Sequence, residues 1–322
     1  DLVSFVEQVG SVKRCEARRD GDRLECTLFD FENGVALASG PIAGGRLGGT
    51  WKTFDASGAT RNEYDLASTE TATHFDRKPA ATELMSVVRL GIARATAAKT
   101  LAPEIADADT IPWNKVGTCY GSATDFPFSL RALMAPEPLA RDYAYGALWS
   151  EIEHQGSIYE ATAKVTPLLI RLLENPEAPR EDILRLLYAV ASAAAPYVAD
   201  AEATLAETRE RDAEDDEDDD YDYEDEDEKE WCRAVLDTMG GISAGLNILF
   251  SKLDSATPKE AQLIIGIAGS ARSRPEVRER FVAIARTAKD PALRAVALDA
   301  IARSPEPDIE DLAPSLNDDD IL

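Results

Sequence analysis

The chain is 322 residues long and carries 34 basic against 60 acidic residues, a formal charge of −26. That balance argues against a nucleic-acid or anionic-membrane binder and makes a basic partner the natural counterpart. Its hydrophobic content of 44% is enough to fold, and its length accommodates one extended helical array plus a small second domain.

Residues 1–78 read as β structure. Leu24, Cys26 and Leu28 alternate with Glu25 and Thr27, and Glu32-Asn33-Gly34 is a hairpin signal. The run Gly44-Gly45-Arg46-Leu47-Gly48-Gly49-Thr50-Trp51-Lys52-Thr53-Phe54-Asp55-Ala56-Ser57-Gly58 is similar to the MORN-like repeats found in antitoxin proteins of the YwqK type. Glycines there permit tight turns between short strands, while Trp51 and Phe54 supply a small core. An ordinary β-meander with no assigned task and a partner-binding unit are both open readings.

Helical patterning begins near Pro79. Leu84, Val87, Val88, Gly91, Ile92 and Ala95 form a stripe, and Pro103 and Pro112 break the chain. A short helix is expected from Asp125, its N-cap, to Met134. In the next helix Leu139, Tyr143, Ala147, Leu148 and Ile152 recur at helical spacing. Val165, Leu168, Leu169, Leu172 and Leu173 then follow i, i+3, i+4, i+7, i+8, and Gly156 is the expected helix C-cap between the two. A lone hairpin cannot bury both stripes, whereas stacked pairs give a continuous core.

Around these helices the motifs Pro112-Trp113, Tyr120-Gly121-Ser122-Ala123, Leu130-Arg131-Ala132-Leu133, Arg141 and His154-Gln155-Gly156-Ser157-Ile158-Tyr159-Glu160-Ala161-Thr162 resemble a group of bacterial HEAT-repeat proteins. Many of that group sit beside polymorphic toxins, so the resemblance implies an immunity role. The fold class expected is α+β, mostly α: a HEAT-like α-solenoid over 79–322 behind a small N-terminal antiparallel β-meander.

Pro179 opens a helix carrying Ile183, Leu187, Val190, Ala191 and Ala194, which Pro196 kinks or ends. Residues 212–230 then hold fifteen acidic residues and Lys229, a net −14 that leaves −12 for the rest. Burial cannot offset repulsion at that density, so this segment is expected to be a disordered loop inserted between solenoid helices. From Trp231 the array resumes, with Gly240-Gly241 as a break before Ile242, Leu246, Leu249, Phe250 and Leu253. Thr257-Pro258-Lys259-Glu260 is a capping box, and Asp290-Pro291 starts another helix 33 residues on.

Only His74 and His154 are available for acid–base or metal work, and GxSxG, HExxH, Walker A and dinucleotide motifs are all missing. No cofactor or enzymatic activity is expected. A DNA-acting enzyme on a HEAT scaffold would need a basic inner face, and the arginines from Arg272 to Arg294 have nearby acids to pair with. Four dispersed cysteines, Cys15, Cys26, Cys119 and Cys232, contain no CxxC pair, which fits a reducing compartment. No apolar run of about 18 residues and no signal peptide is visible, so the cytoplasm is the expected location, with a leader ahead of Asp1 left open.

Candidate partner contacts fall in three places. Trp113, Tyr120 and Asp125 lie on a long loop, although Trp113 could equally cover an apolar flank. His154 and Tyr159 lie at the helix hairpin, where hydrogen bonding that fixes the loop is the alternative role for His154. Asp218, Tyr221 and Tyr223 sit in the acidic run, which could lie over the basic cleft of a nucleic-acid-processing toxin or simply keep the chain soluble. The expected function is an immunity protein that binds and neutralises a cognate, basic protein toxin; the alternative is a general HEAT-repeat interaction scaffold.

Overall fold

The alternation that starts at Leu24 belongs to an antiparallel sheet. The computed structural model describes residues 2–9, 12–20, 23–30, 36–43, 46–47, 49–54, 57–65, 100, 102–136, 138–214, 223–271 and 275–302. Within them the sheet has seven strands: β1 (Leu2–Val9), β2 (Val12–Asp20), β3 (Arg23–Asp30), β4 (Ala36–Ala43), β5 (Arg46–Leu47), β6 (Thr50–Phe54) and β7 (Thr60–Asp65). Their order is β1-β2-β3-β4-β6-β7, with β5 also paired to β4, so the sheet is a meander of sequence neighbours. The turn expected at Glu32-Asn33-Gly34 lies outside the described residues, but Leu28 pairs with Ala38 across the antiparallel strands on either side of it.

Trp51 anchors this sheet. It is 1% exposed, and its Nε1–H donates to the Pro41 carbonyl at 3.0 Å. A Cβ at Gly40 would come within 2.4 Å of the indole, so only glycine lets the ring lie there. Cys26, which pairs with Gly40 on the other side, is buried too, while Phe54 is half-buried.

The chain forms two compact units, Asp1–Ala102 with Pro127–Ala147, and Pro103–Phe126 with Leu148–Leu322. The helical stripe expected over Leu84 to Ala95 and the end cap after Leu312 lie outside the described residues.

Helix α1 (Phe126–Leu133) follows Asp125 as the sequence predicts. In α2 (Pro138–Ile152) the buried stripe is Ala140, Ala144, Leu148 and Ile152. Leu148 and Ile152 belong to the expected stripe, while Ala140 and Ala144 are buried where Tyr143 and Ala147 are only half-buried. Tyr143 lies instead against Phe128 at a ring separation of 6.1 Å.

The second unit is built from helix pairs. Helix α3 (Glu160–Leu172) buries Val165, Leu168, Leu169 and Leu172, and α4 (Arg180–Ala194) buries Ile183, Leu187, Val190, Ala191 and Ala194, all as the periodicity predicts. Pro196 lies in a single 3-10 turn, Ala195–Tyr197, after which α5 (Val198–Glu214) continues. Helix α6 (Tyr223–Ala244) lies along α3 and pairs with α5. Past the short α7 (Leu246–Ser251), α8 (Pro258–Ser270) lies along α4. Helix α10 (Pro291–Ala302) packs on α8, with α9 (Pro275–Thr287) beside it. The capping box at Thr257 is formed: its N–H donates to Glu260 Oε2 at 2.7 Å and its Oγ1 accepts from Glu260 N–H at 3.3 Å.

Two expectations are corrected by α6. Residues 212–230 are not wholly loop, since Asp212 to Glu214 finish α5 and Tyr223 to Glu230 form the first two turns of α6. Carboxylates at a helix N-terminus meet the positive end of the helix dipole. Lys229 pairs with Glu226 one turn away at 3.0 Å, and the next residues, Cys232, Ala234 and Val235, are buried. Nor is Gly240-Gly241 a break, because α6 runs through it. A Cβ at Gly241 would meet Pro167 Cδ at an ordinary 3.4 Å, whereas one at Gly245, just past the end of α6, would come within 2.6 Å of Ile170 Cγ2, so Gly245 lets this end of α6 lie close to α3.

By length and composition alone Arg180–Glu210 could cross a membrane, as could the bent pair Glu226–Ala244 and Leu246–Ser255. Within them Ile183, Leu187, Val190, Ile242, Leu246 and Leu249 are buried inside the protein.

Gly245→Ala drives a methyl group into Ile170 and is expected to destabilise the protein by about 1–3 kcal/mol. Gly240, which has open space where a methyl group would stand, supplies the control: Gly240→Ala removes a helix-interior glycine and is expected to be neutral or to stabilise by up to about 1 kcal/mol. Urea unfolding of the two variants measures both, and equal effects would exclude close approach as the reason for Gly245.

Candidate partner-binding surface

Of the residues expected to meet a partner, Tyr120 and His154 come together in the second unit. The loop before α1 turns through Trp113–Lys115 and forms a small hairpin, β8 (Gly117–Thr118) and β9 (Gly121–Ser122), with Cys119 and Tyr120 at its tip. Gly121, at φ 124, permits the return, and Tyr120 N–H donates to Thr118 Oγ1 at 3.1 Å. Tyr120 is thereby held 68% exposed.

Between α2 and α3 the chain reverses at His154-Gln155-Gly156-Ser157. Gln155 and Gly156 both have positive φ, 55° and 84°, and Ser157 N–H donates to the His154 carbonyl at 3.0 Å, the pattern of a type I′ turn. Gly156 therefore serves this turn and not the end of α2 as a C-cap; its N–H donates to Glu153 Oε1 at 2.6 Å. One buried hydroxyl closes the reversal. Thr162 Oγ1 donates to the Ile152 carbonyl at 2.7 Å and accepts from Tyr159 N–H at 3.1 Å, tying the last residue of α2 to the first turn of α3.

The tip and the turn then meet. Tyr120 and His154 lie edge to face with centroids 5.3 Å apart, and the phenol oxygen is 3.3 Å from Nδ1. Gly117 N–H donates to Glu160 Oε2 at 3.4 Å. The His154 ring thus contacts the hairpin tip and remains half-exposed at the surface.

Trp113 is not on this surface. It is 4% exposed, stacked near Phe126 at 5.4 Å, and its Nε1–H donates to the Ala108 carbonyl at 2.6 Å. Of its two readings, covering an apolar flank is the one the structure bears out. Asp125 is exposed beside Glu151; burial first, and the Asp125 charge second, push the Glu151 carboxyl up from its ordinary range. Burial and Glu151 likewise raise the Cys119 thiol, whose Sγ lies 3.4 Å from the Ser150 carbonyl. Asp218 and Tyr221 lie outside the described residues, and Tyr223 is the first residue of α6.

Next to the hairpin a cleft of about 490 Å³ opens between residues 157–160 and the first half of α6. Ile158 and Ala234 form its floor, Tyr159 and Trp231 stand in its walls, and Glu160, Asp227 and Glu230 bring carboxylates to it. A second depression continues it along α3 and α6, adding Glu226 and Asp237 but also Lys164 and Arg233. Among the described residues no cation forms an ion pair with Asp227 or Glu230. Trp231 is braced from behind by Tyr197 at a ring separation of 5.3 Å.

Sequence reasoning missed Glu160, Asp227, Glu230 and Trp231. Their signal was the backward extension of the α6 stripe, since Trp231, Val235, Met239 and Ile242 recur at helical spacing and imply a helix that reaches into the acidic run.

Among the described residues no group of three His, Cys, Asp or Glu side chains is placed to hold a metal ion. Cys26, Cys119 and Cys232 are free thiols. Arg294, one of the arginines near the C-terminus, donates to the carbonyls of Ala288 and Lys289 at the end of α9.

The raised Glu151 carboxyl has a defined sign. Its folded form favours the proton, so the stability it contributes is present below the ordinary carboxylate range and is lost as pH rises through the raised value. Glu151→Gln removes that loss, and its stability relative to the parent is expected to rise as pH climbs from the ordinary carboxylate range through the raised value. Thermal melts across that range check it; a difference independent of pH would rule out a raised Glu151.

Comparison of the chain with protein-family models, with curated proteins and with solved structures found no match.

Proposed function

We propose that this chain is an immunity protein, which binds a basic protein toxin and neutralises it by occupying its surface without chemistry of its own. The observation that supports this reading most directly is the acidic cleft. Carboxylates of Glu160, Asp227 and Glu230 surround an apolar floor and an aromatic wall, beside the exposed Tyr120 and His154. Apolar floor plus aromatic and charged walls is the make-up of a protein-recognition hot spot. The formal charge of −26 adds long-range attraction, which speeds encounter with a basic partner.

A toxin that processes nucleic acid fits best, because its active cleft is basic and a negatively charged protein competes there with phosphate. The acidic run supplies the first two turns of α6, so this dense charge adjoins the cleft and is not remote from it.

A general interaction scaffold is favoured by one separate observation, the large exposed rings of Trp149 and Tyr188, neither of which lines the cleft. A scaffold would draw several partners, an immunity protein one.

Coexpression with the protein encoded beside it is expected to restore growth that this neighbour alone abolishes, and affinity capture is expected to recover the two as one complex. No rescue, or capture dominated by unrelated complexes, would remove the immunity reading.

A further inference from the structure

The cleft beside α6 has a specific occupant by its chemistry. We infer that it takes arginine or lysine side chains presented by a segment of the partner protein, with Trp231 as the face against which the cationic head or its aliphatic stem lies and Asp227 and Glu230 as the counter-charges. The inference rests on the proposed protein-binding role and names the part of the surface that performs it.

Charge complementarity argues first. Glu226 already has Lys229 at 3.0 Å, and Glu160 accepts the Gly117 N–H, but Asp227 and Glu230 are exposed with no cation paired to them among the described residues. They lie three residues apart on α6, so they share a face, and Ala234 continues it one turn beyond Glu230. An isolated patch of carboxylates would serve hydrated ions equally well. Here a floor of Ile158 and Ala234 lies below, and Trp231 and Tyr159 form the sides.

That combination suits a long amphipathic cation. A lysine or arginine buries its methylene stem on apolar surface while its head reaches a carboxylate, and an indole face attracts the same head electrostatically. The Tyr197 ring packed against Trp231 restrains the indole. The cleft of about 490 Å³ continues into a depression where Lys164 and Arg233 stand among Glu226 and Asp237, so negative charge is more nearly balanced there than beside Trp231.

The probe is a fluorescein-labelled (Arg-Ala)4 peptide titrated into the full chain at about physiological ionic strength, where unspecific attraction is screened beyond a Debye length of about 8 Å. Asp227→Lys with Glu230→Lys is expected to weaken it at least about tenfold, or about 1.4 kcal/mol. Glu174→Lys with Glu177→Lys makes the same change in charge on exposed positions after α3 and is expected to change affinity less than about twofold. Trp231→Phe is expected to keep binding and Trp231→Ala to lose it, with the neutral pair Asp227→Asn and Glu230→Gln confirming the effect in a variant that adds no repulsion.

Equal weakening by the two charge reversals would overturn the inference, as would full competition by spermidine or magnesium at matched charge, since either result makes the cleft a place for any cation. Peptide binding at the cleft without growth rescue would keep the inference and remove the immunity role. Rescue that survives Asp227→Lys with Glu230→Lys would do the reverse.

Discussion

The arrangement of the second unit depends on how closely α6 can approach α3. Gly241 on α6 and Gly245 just past its end face Thr166, Pro167 and Ile170 of α3, and at Gly245 a methyl group would collide with Ile170. Side chains that would hold two helices apart are missing on one of them, so the other fills the space with its own aliphatic groups. Dense packing of this kind is sensitive to single methylene groups. It also fixes the position of the earlier turns of α6, including Asp227, Glu230 and Trp231, relative to the first turn of α3.

The acidic run shows how burial and charge divide a helix between them. Repulsion among fifteen carboxylates opposes order, yet the last eight residues of the run are helical because the segment beyond them buries Cys232, Ala234 and Val235 and carries the helix backward. In those turns Glu226 pairs with Lys229, while Asp227, Glu228 and Glu230 are exposed to solvent. A sequence that needs an acidic wall in a fixed place gains it by attaching the charges to a helix whose far end is anchored.

Much of this was legible from residue order. The stripes of α3 and α4 match their buried residues, and the capping box at Thr257 and the starts at Pro258 and Pro291 fall as spaced. These are local signals: periodicity, caps and prolines act within a few residues. Errors came where a distant partner decides the outcome. Gly240-Gly241 reads as a break unless Pro167 is known to lie opposite, and Ala140 with Ala144 wins the inner face of α2 from Tyr143 only by what packs there. The candidate surface was half legible, since Tyr120, His154 and Tyr159 were named for it, whereas Trp113 proved to be core and the carboxylates of α6 were assigned to a loop.

The hydroxyl of Thr162 joins the carbonyl that ends α2 to the amide that begins α3, so the reversal between them is closed by a bond that water cannot reach. The residues displayed there are consequently shaped before any encounter. A visiting molecule that docks on this corner has little conformational freedom left to extinguish, and the entropy that recognition normally surrenders has already been given up in folding.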